Sequence, residues 1–172
     1  TVVVSYACIW AHFSSLGTQA GLSPVRMVVS GGDASDYYDL ARTLLSSHRF
    51  ALSATSSPEF FRMPGYPFFL ALLFSISPSI LIVPIVQTLL IAYASCLTYL
   101  LGKRFFSRWV GLAASILFIC DPTTIFLAMT ALTETLYVSV LLTIVWILTA
   151  KTSRQALTLL GAGALLGISL LI

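Results

Sequence analysis

The chain has 172 residues, 58% of them hydrophobic and 9% charged, with a mean hydropathy of +0.98 and a formal net charge of +3. A soluble domain carries about 25% charged and about 45–50% apolar residues, so this chain lacks the polar surface needed to wrap a soluble core. The composition excludes an ordinary soluble enzyme and implies an all-α polytopic membrane protein.

In chain order, "TVVVSYACIWAHF" reads as the tail of a first spanning helix, because it has neither a basic n-region nor a small-x-small cleavage site. A long polar segment follows, from about 14 to 66. Within it, "GGDASDYYDLARTLLSSHRF" carries a helix signature. Gly31 and Gly32 break the preceding structure, Asp33 can cap, and Asp36 falls at the third helical position. Tyr37, Leu40, Ala41, Leu44 and Leu45 form one apolar stripe at helical spacing, which predicts a short amphipathic helix at the membrane surface. Arg42, His48 and Arg49 suit the negative end of its dipole. Asp36 and Asp39 read as first-turn and solvated-face charges. After a Ser-rich stretch, "FRMPGYPFFLALL" places Gly65 between Pro64 and Pro67, a turn returning the chain to the membrane. Arg62, just before it, suits either interfacial snorkelling or the grip of a phosphate.

Residues 80–102 supply the roughly 20 apolar residues a bilayer requires, with Pro84 in the first turns, where its missing N–H is harmless. Further apolar runs extend from Trp109 to about Cys120, from about Thr135 to Ala150, and from near Ala156 to the end. Between Cys120 and Thr135 the sequence predicts a short turn, with Asp121 before Pro122 as a helix end. Glu134, at the start of a spanning helix, is either a dipole-favoured acid or a functional group. The chain is expected to be the N-terminal part of a larger transmembrane domain, about five spanning helices with the first and last truncated.

The loops at 103–108 and 151–154 hold Lys103, Arg104, Arg108, Lys151 and Arg154, five of the nine basic residues, and no acid. All six acids lie elsewhere. By the positive-inside rule these loops are cytoplasmic, and the 14–66 segment and the 121–134 turn are extracytoplasmic. Cys8, Cys96 and Cys120 are far apart and read as three buried thiols. His12 and His48 share no metal spacing with them.

The series "DASDYYDLARTLL", "RMPGYPFFLALL" and "LTETLYV" resembles the GT-C class of membrane glycosyltransferases. It is most similar to the branch with protein O-mannosyltransferase-like and lipid A aminoarabinose transferase-like enzymes. The resemblance covers roughly residues 15–172. It puts Asp33 at the acid opening the first outer loop, Tyr37 at the tyrosine that follows, Arg62 and Pro64 at the basic-x-Pro region, and Glu134 at the second acid. Ala34 stands where some relatives pair a second acid with the first, which leaves the subfamily open.

The resemblance implies a GT-C-like helix bundle, with the amphipathic helix in its first extracytoplasmic loop. Its activity would be transfer of a sugar from a polyprenyl-phosphate donor to a hydroxyl or phosphate of a glycan, lipid or protein acceptor. The partners would be that donor, membrane lipids and the acceptor, with no nucleic acid, in the bacterial inner membrane and on its extracytoplasmic face. Asp33 and Glu134 would be catalytic, with Asp33 taking the acceptor proton. Arg62 would face the leaving phosphate, and Tyr37 and Tyr66 would position the acceptor or loop. The cofactor requirement, including a divalent metal ion, is left open, since no dense carboxylate cluster is present. The alternative is a transporter or channel subunit using Asp33 and Glu134 as ion or proton ligands; such groups usually sit near the bilayer midplane, whereas these acids gather at one surface.

Overall fold

The computed structural model describes residues 23–29, 31–149 and 155–172, together with Cys8, Ala11 and Ser15. The apolar run at 1–13 (apart from Cys8 and Ala11), His12, and the basic residues Lys151 and Arg154 lie outside the described residues. Among the described residues there are eight helices and no strand.

The first, α1 (Pro24–Val28), has Pro at its start and Ser23 accepting from the Arg26 amide at 3.4 Å. The second, α2 (Gly32–Ser47), is the amphipathic helix. Leu40 and Ala41 of its stripe are fully buried, Tyr37 and Leu44 half-buried, and Leu45 exposed. Its apolar face packs on α3 (Gly65–Ile76). The helix ends at Ser47, with His48 in the left-handed conformation at φ 52°. No basic residue lies in its last turn, contrary to the expected dipole role of Arg42, His48 and Arg49. Arg49 instead donates to the Ala54 and Ser56 carbonyls at 2.8 and 3.4 Å, folding the Ser-rich loop on itself.

α3 is a separate helix within the stretch that the sequence reads only as a turn returning the chain to the membrane. The "SPSIL" segment at 77–81 breaks it from α4 (Ile82–Phe105), the 24-residue helix that matches the 80–102 run. Lys103 and Arg104 in the last turn of α4 oppose its dipole favourably. Ser107 then caps α5 (Arg108–Cys120) by accepting from the Val110 amide at 3.3 Å. The expected turn at 121–134 contains a further helix, α6 (Pro122–Met129), bent 56° from α5. Asp121 ends α5 and caps α6, accepting from the Thr124 amide at 2.7 Å, as its place before Pro122 predicts. α7 (Glu134–Thr149) and α8 (Gln155–Ser169) match the last two apolar runs.

Among the described residues one helix, Ile82–Phe105, is long and apolar enough to cross a membrane, or two if the bent α5–α6 pair forms one span. α3, α7 and α8 are apolar but shorter than the roughly 20 residues of a straight span. The expected five-span architecture therefore stands only as an all-helical chain with one or two span-length helices. Backbones approach closely where α4 meets α5: a Cβ on Gly111 would lie 2.5 Å from the Tyr99 carbonyl oxygen. α4 also meets α7 through polar ties, with the Tyr93 and Thr143 hydroxyls 2.9 Å apart and Ser139 donating to the Leu90 carbonyl at 3.3 Å. Cys8, Cys96 and Cys120 are exposed rather than buried; apolar neighbours in sequence did not mean an inward-facing helix side.

The principal core lies where α2, α3 and the start of α4 meet the 131–132 linker. It contains Ala34, Ala41, Tyr66, Leu70, Phe74, Val83 and Ala131. The Ala131 amide donates to the Val28 carbonyl at 2.8 Å, fastening that linker to α1. This core brings distant sequence segments to one end of the bundle.

Candidate active site

The loop before α3 swings Arg62 back over the first turns of α2. Its Nη1 donates to Asp33 Oδ1 and its Nη2 to Asp36 Oδ2, both at 2.6 Å. Asp33 and Asp36 are three residues apart on a helix, so both carboxylates project on one face, at a spacing that one guanidinium fork can bridge. The Arg62 side chain is 18% exposed, Asp36 32% and Asp33 61%. The hydrogen bond that Arg62 donates to Asp33, opposed by partial burial and reinforced by the bond to Asp36 and by both carboxylate charges, holds the guanidinium charged beyond its ordinary range.

Asp33 does not cap α2. Gly31 occupies the cap position at φ 109°, and no side-chain cap bond is made. The carboxylate instead serves Arg62 through Oδ1, and Oδ2 has no partner among the described residues. Asp36, read from sequence as a first-turn charge, is the second arm of the clamp. Asp39 is exposed, as expected; burial and then the neighbouring Asp36 charge hold its carboxyl above the usual range.

Arg62 also lies over the Tyr37 ring, 5.6 Å from its centroid, and at the same distance from Phe61. A cation over an aromatic face is held by the ring quadrupole. Tyr37 in turn meets Tyr66 edge to face at 5.2 Å. Tyr66 is fully buried, and its hydroxyl accepts from Gln87 Nε2 at 2.8 Å. Gln87 Nε2 also donates to the Leu132 carbonyl at 3.1 Å. Two residues on, Glu134 opens α7; it is exposed and accepts from the Thr133 hydroxyl at 3.4 Å.

The fold thus brings Asp33, Tyr37, Arg62 and Tyr66 into one run of contacts, and Gln87 ties Tyr66 to the Leu132 carbonyl, two residues before Glu134. No direct bond links Glu134 to Asp33 or Arg62. Sequence reasoning missed two members. Asp36 was legible from its i, i+3 relation to Asp33, and Gln87 as the sole carboxamide in the apolar run at 80–102. Among the described residues, no group of three or more His, Cys, Asp and Glu gathers as a metal site would require.

Chemically, the arrangement offers an exposed carboxylate, a fixed cation beside it, and a buried tyrosine–carboxamide pair bonded to the linker that precedes a second acid. The family model for dolichyl-phosphate-mannose-protein mannosyltransferase matches residues 56–172. The match covers more than half of the chain, so the chain belongs to that family, one of membrane-integral glycosyltransferases. Arg62, Tyr66, Gln87 and Glu134 lie within the matched region, while Asp33, Asp36 and Tyr37 precede it. No curated protein and no solved structure matches the chain.

Proposed function

We propose that this family member moves a sugar from a polyprenyl-phosphate donor to an acceptor hydroxyl on the extracytoplasmic face of a membrane, with Asp33 as the base. The observation that carries the reading is the Arg62 guanidinium clamped at 2.6 Å by Asp33 and Asp36, at the loop that leads into the apolar helix α3. A lipid-linked phosphate needs such a site, with a fixed cation at the edge of apolar structure.

In this reading the donor phosphate competes with Asp33 for Arg62. The fork stays anchored to the less exposed Asp36 and turns its other arm to the phosphate, which releases Asp33. The acceptor oxygen attacks the anomeric carbon as the bond from that carbon to the phosphate oxygen breaks. The acceptor proton passes to Asp33, and the polyprenyl phosphate leaves with its added negative charge facing Arg62. Glu134 orients the acceptor from the far side, and Tyr37 and Tyr66 hold the loop and Arg62 in place. The membrane is the bacterial inner membrane, and the segment from about 14 to 66 faces outward.

The test is release of polyprenyl phosphate by the protein in membrane vesicles, supplied with a panel of polyprenyl-phosphate sugars and acceptors. Asp33→Asn keeps the shape and one hydrogen-bonding oxygen but cannot take a proton. It is expected to lower turnover by about 10²–10⁴-fold while the protein still reaches the membrane. Equal turnover in the two proteins would remove Asp33 as the base. Failure of the unmutated protein to consume any donor would remove the transfer reading itself.

A further inference from the structure

Gln87 lies on α4, fully buried, and belongs to none of the groups that would touch donor or acceptor. Its two Nε2 hydrogens reach separate elements: the Tyr66 hydroxyl on α3 at 2.8 Å and the Leu132 carbonyl at 3.1 Å. Its Oε1 is buried with no partner among the described residues. An aliphatic side chain would fill the same space without stranding a polar atom, so packing alone does not explain a carboxamide here. The exchange of other polar contacts between α4 and α7 is already provided by the Tyr93–Thr143 and Ser139–Leu90 bonds.

The bonds of Gln87 lie on the path between the two halves of the site. On one side, Tyr66 abuts Tyr37, whose face carries Arg62. On the other, Leu132 leads to Glu134 across a linker already fixed to α1 by the Ala131–Val28 bond. We propose that Gln87 is a positioning residue: by bonding the Tyr66 hydroxyl and the Leu132 carbonyl together, it holds the Glu134 end of the site in register with the Arg62–Asp33 end. The catalytic consequence rests on the transfer function proposed above, whereas the structural coupling does not.

Three variants in membrane vesicles test this. Gln87→Met keeps the length and removes both hydrogen bonds; Tyr66→Phe removes the hydroxyl alone; Gln87→Glu keeps the shape and can donate only when protonated. Gln87→Met and Tyr66→Phe are each expected to lower kcat for polyprenyl phosphate release by roughly 10–100-fold, with the donor KM within about threefold of the unmutated value. The double variant should be no slower than the slower single one, because both break the same link. Gln87→Glu should regain activity as pH falls and its carboxyl becomes a donor. Unchanged kcat in Gln87→Met, multiplying effects in the double variant, or a Gln87→Glu pH profile like that of the unmutated protein would each overturn the proposal. Tyr66→Phe decides the matter if Gln87→Met fails to reach the membrane.

Hydrogen exchange gives an arm independent of activity. Loss of the link should speed exchange of the amides at 131–135 and at 33–38 together in Gln87→Met. Unchanged exchange at 131–135 would overturn the coupling. A protein that consumes no donor would be seen as such in its unmutated form, and the exchange result would still decide Gln87.

Discussion

Asp36 and Asp39 stand three residues apart on α2, and their surroundings give them opposite effects. Asp36 accepts one of the two charge-assisted bonds from Arg62. Asp39 makes no ion pair among the described residues, and partial burial, then the Asp36 charge, holds its carboxyl above the ordinary value of 3.8. A carboxyl raised in the folded state contributes stability that is fully present below its unfolded value and is lost as pH rises through the folded one. At neutral pH Asp39 is therefore a small burden. Asp36→Asn should lower the stability of the detergent-solubilised protein by about 1 kcal/mol at pH 7. Asp39→Asn should leave it unchanged or raise it, by no more than about 0.5 kcal/mol after solvent screening, and the gain should vanish near pH 3. Thermal melting at the two pH values separates these outcomes, and a loss of stability in Asp39→Asn at pH 7 would contradict the account. Sequence made Asp33 and Arg62 legible as two separate residues of interest, because each stands out in an oily chain. It could not show that they meet, since 28 intervening residues (34–61) and the fold of the Ser-rich loop decide that.

At the scale of the helices, hydropathy located α4, α7 and α8 to within a few residues, and Asp121 before Pro122 marks the end of α5, since a residue before proline is pushed out of helical conformation. The same signal at Ser77–Pro78 was not read as the break between α3 and α4, and nothing in the expected turn at 121–134 announced α6. α1 was equally invisible, a five-residue helix with too few positions for any periodicity. The close crossing of α4 and α5 was not read either, because a glycine pair is recognised only once two helices are known to touch. A Cβ on Gly111 would meet the Tyr99 carbonyl oxygen at 2.5 Å and the Lys103 nitrogen at 2.8 Å, both backbone atoms that a side-chain rotation cannot clear. Gly111→Ala should therefore destabilise the helix pair by about 1–3 kcal/mol. Gly161, on α8, has open space around its would-be Cβ, so Gly161→Ala should stabilise by about 0.5–1 kcal/mol through helix propensity. Melting temperatures of the two variants, measured side by side, check the contrast. A neutral Gly111→Ala would mean that the two helices do not cross this closely.

For the whole molecule, charge asymmetry and fold point the same way. Arg62, Asp33 and Asp36 cluster at the end of the bundle where the 131–132 linker lies. Lys103, Arg104 and Arg108 lie at the opposite end of the 24-residue helix α4, with Arg104 over Trp146 and Arg108 over Trp109. A helix of that length rises about 36 Å, enough to separate two sides of a bilayer. The transfer proposed above requires the basic end to lie in the cytoplasm and the acidic site outside, the orientation that the positive-inside bias expects. Cysteine labelling in spheroplasts tests that assignment, in a background where the exposed Cys8, Cys96 and Cys120 are replaced by serine. Ala54, exposed in the Ser-rich loop, and Phe106, exposed between α4 and α5, are the two reporters. Ala54→Cys should react with a membrane-impermeant maleimide in intact spheroplasts, and Phe106→Cys only after lysis. The reverse pattern would place Asp33 and Arg62 in the cytoplasm. An outward-facing transfer from a lipid-linked donor would then be untenable, even with the clamp, the buried tyrosine and the family membership unchanged.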